Sequence, residues 1–193
     1  MTYRFELIQF IINKYNLKKY LEIGVGTGLA FSRIKCELKV GVDPAIKDCI
    51  RTGEVLYALT SDNFFRGSKE KFDIVFIDGL HLYEQTIRDI VNSWNCLNEN
   101  GWIVIHDCLP RNAEMCTRKR NTDEWTGDVW KAIVWFRKMY ASIECYVLDM
   151  DYGCGVIRKD SSEVSIKDYL WLEELDFEWL QKNKEQLNVK RGL

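Results

Sequence analysis

The sequence predicts an α/β fold, a doubly wound and mostly parallel sheet with helices on both faces. Three observations predict it. Apolar runs of strand length alternate with helix-length stretches along most of the chain. The first run ends in a glycine-rich turn, Gly24-Val25-Gly26-Thr27-Gly28, placed where open sheets of this class hold ligands. Two later runs end on acids, Asp78 and Asp107, each with a histidine close by in sequence, His81 and His106.

Each element has its own signal. Residues 1–17 set Phe5, Leu7, Ile8, Phe10, Ile11 and Ile12 among Arg4, Glu6, Gln9, Asn13 and Lys14, which reads as an amphipathic helix packed on the domain. Its charges keep it short of the roughly 20 apolar residues of a membrane span. It also lacks the acid-free apolar core of a signal peptide, so a cytoplasmic protein is expected. Residues 19–23 form a first strand, 27–36 a helix, and 38–42 a second strand closed by Asp43-Pro44. A weaker third strand over 54–59 leads through Ser61-Asp62 into a short helix. Residues 72–77 are apolar on both sides, as a strand buried on both faces requires. Ile87, Ile90, Val91 and Trp94 give 82–97 helical spacing, and residues 98–101 stop it. A fifth strand at 102–105 precedes an irregular basic stretch, then a helix over 128–140. Residues 143–148 and 153–157 read as an antiparallel hairpin. The charged, Trp-containing stretch 165–187 reads as a helical tail that either covers the sheet or mediates self-association. With no repeat or linker, one domain over 1–193 is expected: a first helix (1–17), a cofactor-binding core (18–160) and a helical tail (161–193).

Composition narrows the function. A net charge of -2 over 193 residues exerts no general pull toward nucleic acid or an anionic membrane. Seven cysteines without a C-x-x-C pair point to reduced thiols rather than a zinc ribbon or a disulfide framework. A partner must be argued from a site, and a small molecule or glycan is the expectation.

The glycine turn is the first part of that site. A nicotinamide-binding G-x-G-x-x-G would place glycine at position 29, where Leu29 stands. The spacing of Gly24, Gly26 and Gly28, preceded by Glu22, instead resembles motif I of methyltransferases. There the following helix N-terminus meets the methionine carboxylate of S-adenosylmethionine and the acid supports its ammonium side. Asp43, at the end of the second strand, is placed to accept both ribose hydroxyls, or else to cap a turn before Pro44. Ser61 and Asp62 stand where adenine is contacted in this fold, or serve as an N-cap.

The second part is the pair of strand ends. A hydroxyl is a weak nucleophile at neutral pH, so methyl transfer to oxygen calls for a base or a bound cation. His81 is the candidate base, while Asp78 and Asp107 are candidate cation ligands. Ile77-Asp78-Gly79-Leu80-His81-Leu82-Tyr83-Glu84 and Gly101-Trp102-Ile103-Val104-Ile105-His106-Asp107-Cys108 resemble the class I S-adenosylmethionine-dependent methyltransferases that modify sugars and macrolide sugars. The resemblance spans about residues 20–137. It implies a seven-stranded sheet of order 3-2-1-4-5-7-6 with the last strand antiparallel. It also implies magnesium, or another divalent cation, at Asp78, Asp107 and the position of His106, with His81 as base. Here His106 replaces a carboxylate, and a nitrogen donor disfavours magnesium; His106 then serves in substrate binding, or as the alternative base.

Residues 111–127 read as a substrate loop or lid, with Arg111, Arg118, Lys119 and Arg120 candidates for an acidic sugar or diphosphate. Trp125 is a candidate for stacking on a sugar ring, and Trp130 for core packing. Gly127-Asp128-Val129-Trp130-Lys131-Ala132 resembles a subgroup signature of the same family, which implies surface-glycan synthesis. The expected function is O-methylation of a sugar or glycan-linked hydroxyl. Its rivals are a non-catalytic S-adenosylmethionine-binding module and a nicotinamide-dependent oxidoreductase.

Overall fold

A computed structural model describes residues 1–46 and 54–192. Helix α1 (Arg4–Tyr15) is followed by β1 (Lys19–Ile23), β2 (Leu38–Val42), β3 (Glu54–Tyr57), α2 (Ser61–Gly67) and β4 (Phe72–Ile77). Then come α3 (Tyr83–Cys96), β5 (Leu97–Ile105), α4 (Trp130–Met139), β6 (Cys145–Leu148), β7 (Cys154–Arg158), α5 (Phe177–Lys182) and β8 (Val189–Lys190). All strands join one sheet of order β3-β2-β1-β4-β5-β7-β6-β8. Strands β1 to β5 are parallel, and β7 runs antiparallel to both β5 and β6.

The expected order holds over seven strands, and an eighth corrects the count. Residues 189–190 pair parallel with β6 beyond the predicted edge. Too short to carry an alternation pattern of its own, β8 is made by the edge it docks on. The tail before it is also less helical than expected, with single 3-10 turns at Leu170–Glu174 and Lys184–Leu187 on either side of the six-residue α5.

The predicted helix over 27–36 is absent. Gly24, Gly26 and Gly28 hold positive φ values of 87°, 53° and 76°, which a right-handed helix cannot include. After Gly28 only a 3-10 turn at Phe31–Arg33 forms before β2. The apolar residues that suggested a helix, Ala30, Phe31 and Ile34, are instead buried against the sheet.

Side chains alternate along the central strands and sort the core into two layers. Val75 and Ile77 of β4 join Ile103 and Ile105 of β5 in one layer, covered by α2, α3, α4 and the tail, and Phe72 joins them across a register shift in β4. Ile74 and Phe76 join Trp102 and Val104 in the other. That second face is closed by α1 through Leu7, Ile8, Ile11 and Ile12, with Phe31 and Ile34 beside them. No helix among the described residues is long and apolar enough to cross a membrane. Six cysteines there are free, three of them buried, and Cys49 lies outside the described residues.

Candidate active site

The carboxyl ends of β1, β4 and β5 open onto one cavity of about 570 Å³, a size suited to a small ligand. The glycine turn forms one wall, Asp78, His81, His106 and Asp107 the floor, and Arg120, Trp125 and Thr126 the roof. The sequence-predicted reaction residues are therefore brought together with Glu22, Gly24 and Gly26.

Two of the glycines are needed for different reasons, Gly24 by close packing and Gly26 by its backbone conformation. A Cβ at Gly24 would lie 2.0 Å from the carbonyl oxygen of Asp78, so the turn presses directly on the end of β4. A Cβ at Gly26 would meet nothing within 4 Å; there it is the positive φ of 53° that favours glycine. The loop's own N–H groups are engaged. Gly24 donates to Val42 O at 2.8 Å, Gly28 to Val25 O at 2.8 Å and Gly26 to Asp43 Oδ2 at 2.8 Å. With no helix behind the turn, an anion there meets no helix N-terminus, which corrects the expectation drawn from motif I.

Asp43 thus has the turn-capping role: Oδ1 accepts from the Ala45 N–H at 2.7 Å while Oδ2 holds Gly26. A carboxylate offers about four acceptor sites, so these two bonds leave others open, but Asp43 does not line the cavity. Ser61 and Asp62 both accept from Gln85 Nε2, at 3.1 and 3.2 Å, and neither lines the cavity. The cap of α2 is Thr60, whose side chain accepts from Asn63 N–H.

The floor is a cluster of acids and bases. His81 Nε2 lies 3.4 Å from Asp78 Oδ1 and its Nδ1 3.2 Å from Asp107 Oδ2. His106 Nδ1 lies 3.1 Å from Asp107 Oδ1 and 3.4 Å from Asp78 Oδ1. Burial would lower both imidazole pKa values, but the facing carboxylates outweigh it and raise both, His106 strongly. Asp78 moves the other way: burial opposes its charge, yet the two histidines hold it well below the usual carboxylate range. Oxygen and nitrogen atoms of Asp78, His81 and Asp107 converge within 4.8 Å of one another. His81 takes the third place in that group, where the resemblance put His106.

Two members of the cluster were missed by sequence reasoning. Arg4, from the first turn of α1, sets its Nε 3.5 Å from Asp78 Oδ2. Asp151, in the turn between β6 and β7, faces Arg4 Nη1 at 3.1 Å and His106 Nε2 at 3.6 Å. Arg4 had a signal: it continues the stripe of Leu7, Ile8 and Ile11 at helical spacing, a cation on the buried face of a helix. The only cue for Asp151 was its place in the turn of a hairpin predicted to pair beside β5.

Backbone strain gathers here. His81, Asp107, Asp151 and Tyr152 have φ of 60°, 61°, 43° and 60°, conformations that persist where surrounding structure enforces them. The enforcement at His81 is visible. Asp128 N–H donates to His81 O at 3.2 Å, and the Cβ that Gly127 lacks would sit 2.0 Å from the same oxygen. Trp125 then stacks on the His81 ring at 4.9 Å and 12°.

The loop cations divide. Arg118 is spent on structure, reaching Asp128 Oδ2 at 2.7 Å and Glu84 Oε1 at 2.8 Å, while Arg111 lies over the Tyr152 ring. Arg120 lines the cavity. Trp130 is buried core, stacked on Trp179.

Residues 21–108 match the family model described as a methyltransferase domain, just under half of the chain. No curated protein matches the sequence. Among solved structures, the chain is similar to an O-methyltransferase from Bacillus cereus in complex with SAH, with TM-score 0.58 and 14% identity over 81% of this chain and 80% of that one. SAH-bound methyltransferase PaMTH1 from Podospora anserina gives 0.60 and 18%, over 83% and 80%. The N-methyltransferase NodS from Bradyrhizobium japonicum gives 0.51 and 16%, over 79% and 90%. At these identities the likeness speaks for the fold. The strand order and these likenesses show that the chain has the class I methyltransferase fold, and its segment 21–108 is similar to a methyltransferase domain.

Proposed function

We propose that the protein transfers the methyl group of S-adenosylmethionine to a hydroxyl oxygen of a sugar or glycan. The observation that carries this reading is the single cavity joining the glycine turn to the Asp78, His81, His106 and Asp107 cluster. The residues fit the cofactor. Gly26 leaves an open cradle on the cavity wall, where a Cβ would meet no protein atom. Glu22, 1% exposed, holds a buried carboxyl on the cavity wall that a cationic ammonium would complement. SAH complexes of the Bacillus cereus and Podospora anserina proteins on the same fold support it.

When bound, the cofactor supplies a methyl on a sulfonium sulfur. Transfer to a hydroxyl would form a C–O bond from an oxygen lone pair, with the electrons of the broken C–S bond left on sulfur. The acceptor's proton goes to the base. His81 is the candidate: Asp78 faces its Nε2 and Asp107 its Nδ1, and Trp125 packs on its ring. Its raised pKa means that the proton-free form grows only above the ordinary histidine range. Transfer is therefore expected to rise with pH through that raised value, and Asp78→Asn to move the rise to lower pH.

The same fold carries an N-methyltransferase, so the acceptor atom is argued from the site. Two imidazoles between three carboxylates suit the deprotonation of a hydroxyl. Trp125, Tyr152 and Arg120 at the cavity suit a polar ring. The strained φ values at His81 and Asp107 are of the kind that functional sites hold in place. Magnesium fits the donor set poorly: a nitrogen completes the converging group, and Arg4 already stands on Asp78. No step here runs through a divalent ion.

The test is calorimetry with S-adenosylmethionine, followed by a screen of sugar nucleotides for transfer. Wild type and His81→Ala should bind the cofactor alike, while His81→Ala loses transfer by about 100-fold or more. Absence of cofactor binding in the wild type would refute the reading, and unchanged turnover in His81→Ala would move the base to His106.

A further inference from the structure

The first helix lies outside the matched segment, yet it delivers a permanent positive charge to the reaction floor. Arg4 Nε faces Asp78 Oδ2 at 3.5 Å, and its Nη1 lies 3.1 Å from Asp151 Oδ2 and 3.5 Å from His106 Nε2. Its own backbone N–H donates to the same Asp151 oxygen at 2.8 Å. The residue is therefore gripped at both ends, by main chain and by side chain. Behind it, Leu7, Ile8 and Ile11 are fully or almost fully buried against the sheet, so the guanidinium sits on a fixed helix. It lines the cavity beside His81 and Asp107.

We propose that Arg4 is the built-in cation of this site, standing on Asp78 where a divalent ion would otherwise act, so that transfer runs without a metal. This rests on the methyl-transfer reading above. Three arguments carry it. Asp78 is the carboxylate most central to any metal set, and Arg4 contacts it directly. A guanidinium stays charged at every working pH and presents several N–H donors in one plane, enough to bridge Asp78, Asp151 and an acceptor oxygen in the cavity. Finally, the floor already balances three carboxylates, Asp78, Asp107 and Asp151, with one permanent cation and two imidazoles. A dication would have to enter against Arg4. During transfer, Arg4 stabilises the negative charge that grows on the acceptor oxygen as its proton leaves for His81. The atoms and electrons are those of the transfer step already given, with no further reactant.

The experiment has one arm that needs no acceptor. Mn²⁺ is titrated into the wild type, Arg4→Lys and Asp78→Asn and followed by the loss of the free-ion paramagnetic resonance signal. The wild type should leave millimolar Mn²⁺ free. Uptake at micromolar concentration that Asp78→Asn abolishes would overturn the proposal, whether or not S-adenosylmethionine binds. The second arm measures transfer to an acceptor found in the screen, with EDTA present. Wild-type turnover should be unaffected. Arg4→Ala should lose about 100-fold in kcat with its cofactor dissociation constant unchanged, and Arg4→Lys should recover part of that loss. Abolition by EDTA, or full kcat in Arg4→Ala, would overturn it. Arg4→Lys, which keeps a charge at the same place, guards against an Arg4→Ala chain that fails to fold. Loss of cofactor binding in the wild type would instead count against the methyl-transfer reading, leaving the Mn²⁺ arm to decide the cation.

Discussion

Glu22 illustrates how one buried group links the empty and loaded forms of the site. Its carboxyl accepts from the Tyr20 hydroxyl and is otherwise enclosed. Burial is the main reason that its pKa is pushed up to about 8, with Asp78 adding to the rise and Tyr20, Arg4 and Lys39 opposing it. In the unfolded chain the same group titrates near 4.5. Between those values the folded state keeps a proton that the unfolded state has lost, so stability falls as pH rises through the window. Glu22→Gln removes that slope. Its melting temperature should exceed the wild type's by a margin that widens from about pH 4.5 to about pH 8. A cationic ligand reverses the preference, so binding S-adenosylmethionine near neutral pH should release a proton, seen as a binding enthalpy that depends on the buffer. A constant melting difference and a buffer-independent enthalpy would refute this account of Glu22. At this scale the sequence showed which residues stand at strand ends, because alternation and turn residues are local signals. It did not show Asp151, whose partners Arg4 and His106 are 147 and 45 positions away.

The glycine turn joins residue chemistry to element packing, and it is where helix propensity lost. Residues 29–36 contain good helix formers, but three left-handed glycines before them and a burial requirement at Phe31 and Ile34 leave room for one 3-10 turn. Packing of α1 then closes the face that the missing helix would have covered. The two ends of the turn should respond differently to a methyl group. Gly24→Ala drives a Cβ into the backbone of Asp78 and Gly79 at a φ of 87°. It should cost more than about 2 kcal/mol, roughly 4–8 °C in melting temperature, and should displace Asp78. Gly26→Ala meets no protein atom; only its φ of 53° is strained, at about 1–2 kcal/mol. It should fold and yet bind S-adenosylmethionine at least tenfold more weakly. Thermal melts and calorimetry on the pair decide it. Equal stabilities would show that Gly24 does not press on β4, and normal affinity in Gly26→Ala would show that the cradle is not the cofactor's.

Over the whole molecule, alternating strands and helices made a parallel sheet legible and left few arrangements open, and the family resemblance chose the order among them. The last thirty residues were not, because their apolar positions follow no single period. They are set by the surface on which they land. Leu172, Leu180 and Leu187 are turned into the core beneath α3 and α4, and Trp179 stacks on Trp130. Arg137 ties the last turn to the sheet by donating to Gln186 O at 2.7 Å and Cys145 O at 2.6 Å. Of the two roles predicted for the tail, covering the core is the one these contacts serve. Each buried leucine contributes about 1.5–3 kcal/mol. The three together are comparable with the roughly 5–15 kcal/mol that holds a typical domain folded. A chain ending at residue 164 should therefore lose cooperative unfolding. Leu187→Ala in the full chain should cost about 2–5 kcal/mol, with a fall in melting temperature of several degrees or more. Calorimetric melts of both proteins test this directly. A shortened chain that melted cooperatively within a few degrees of the full one would mean that the sheet and α1 to α4 hold the site unaided.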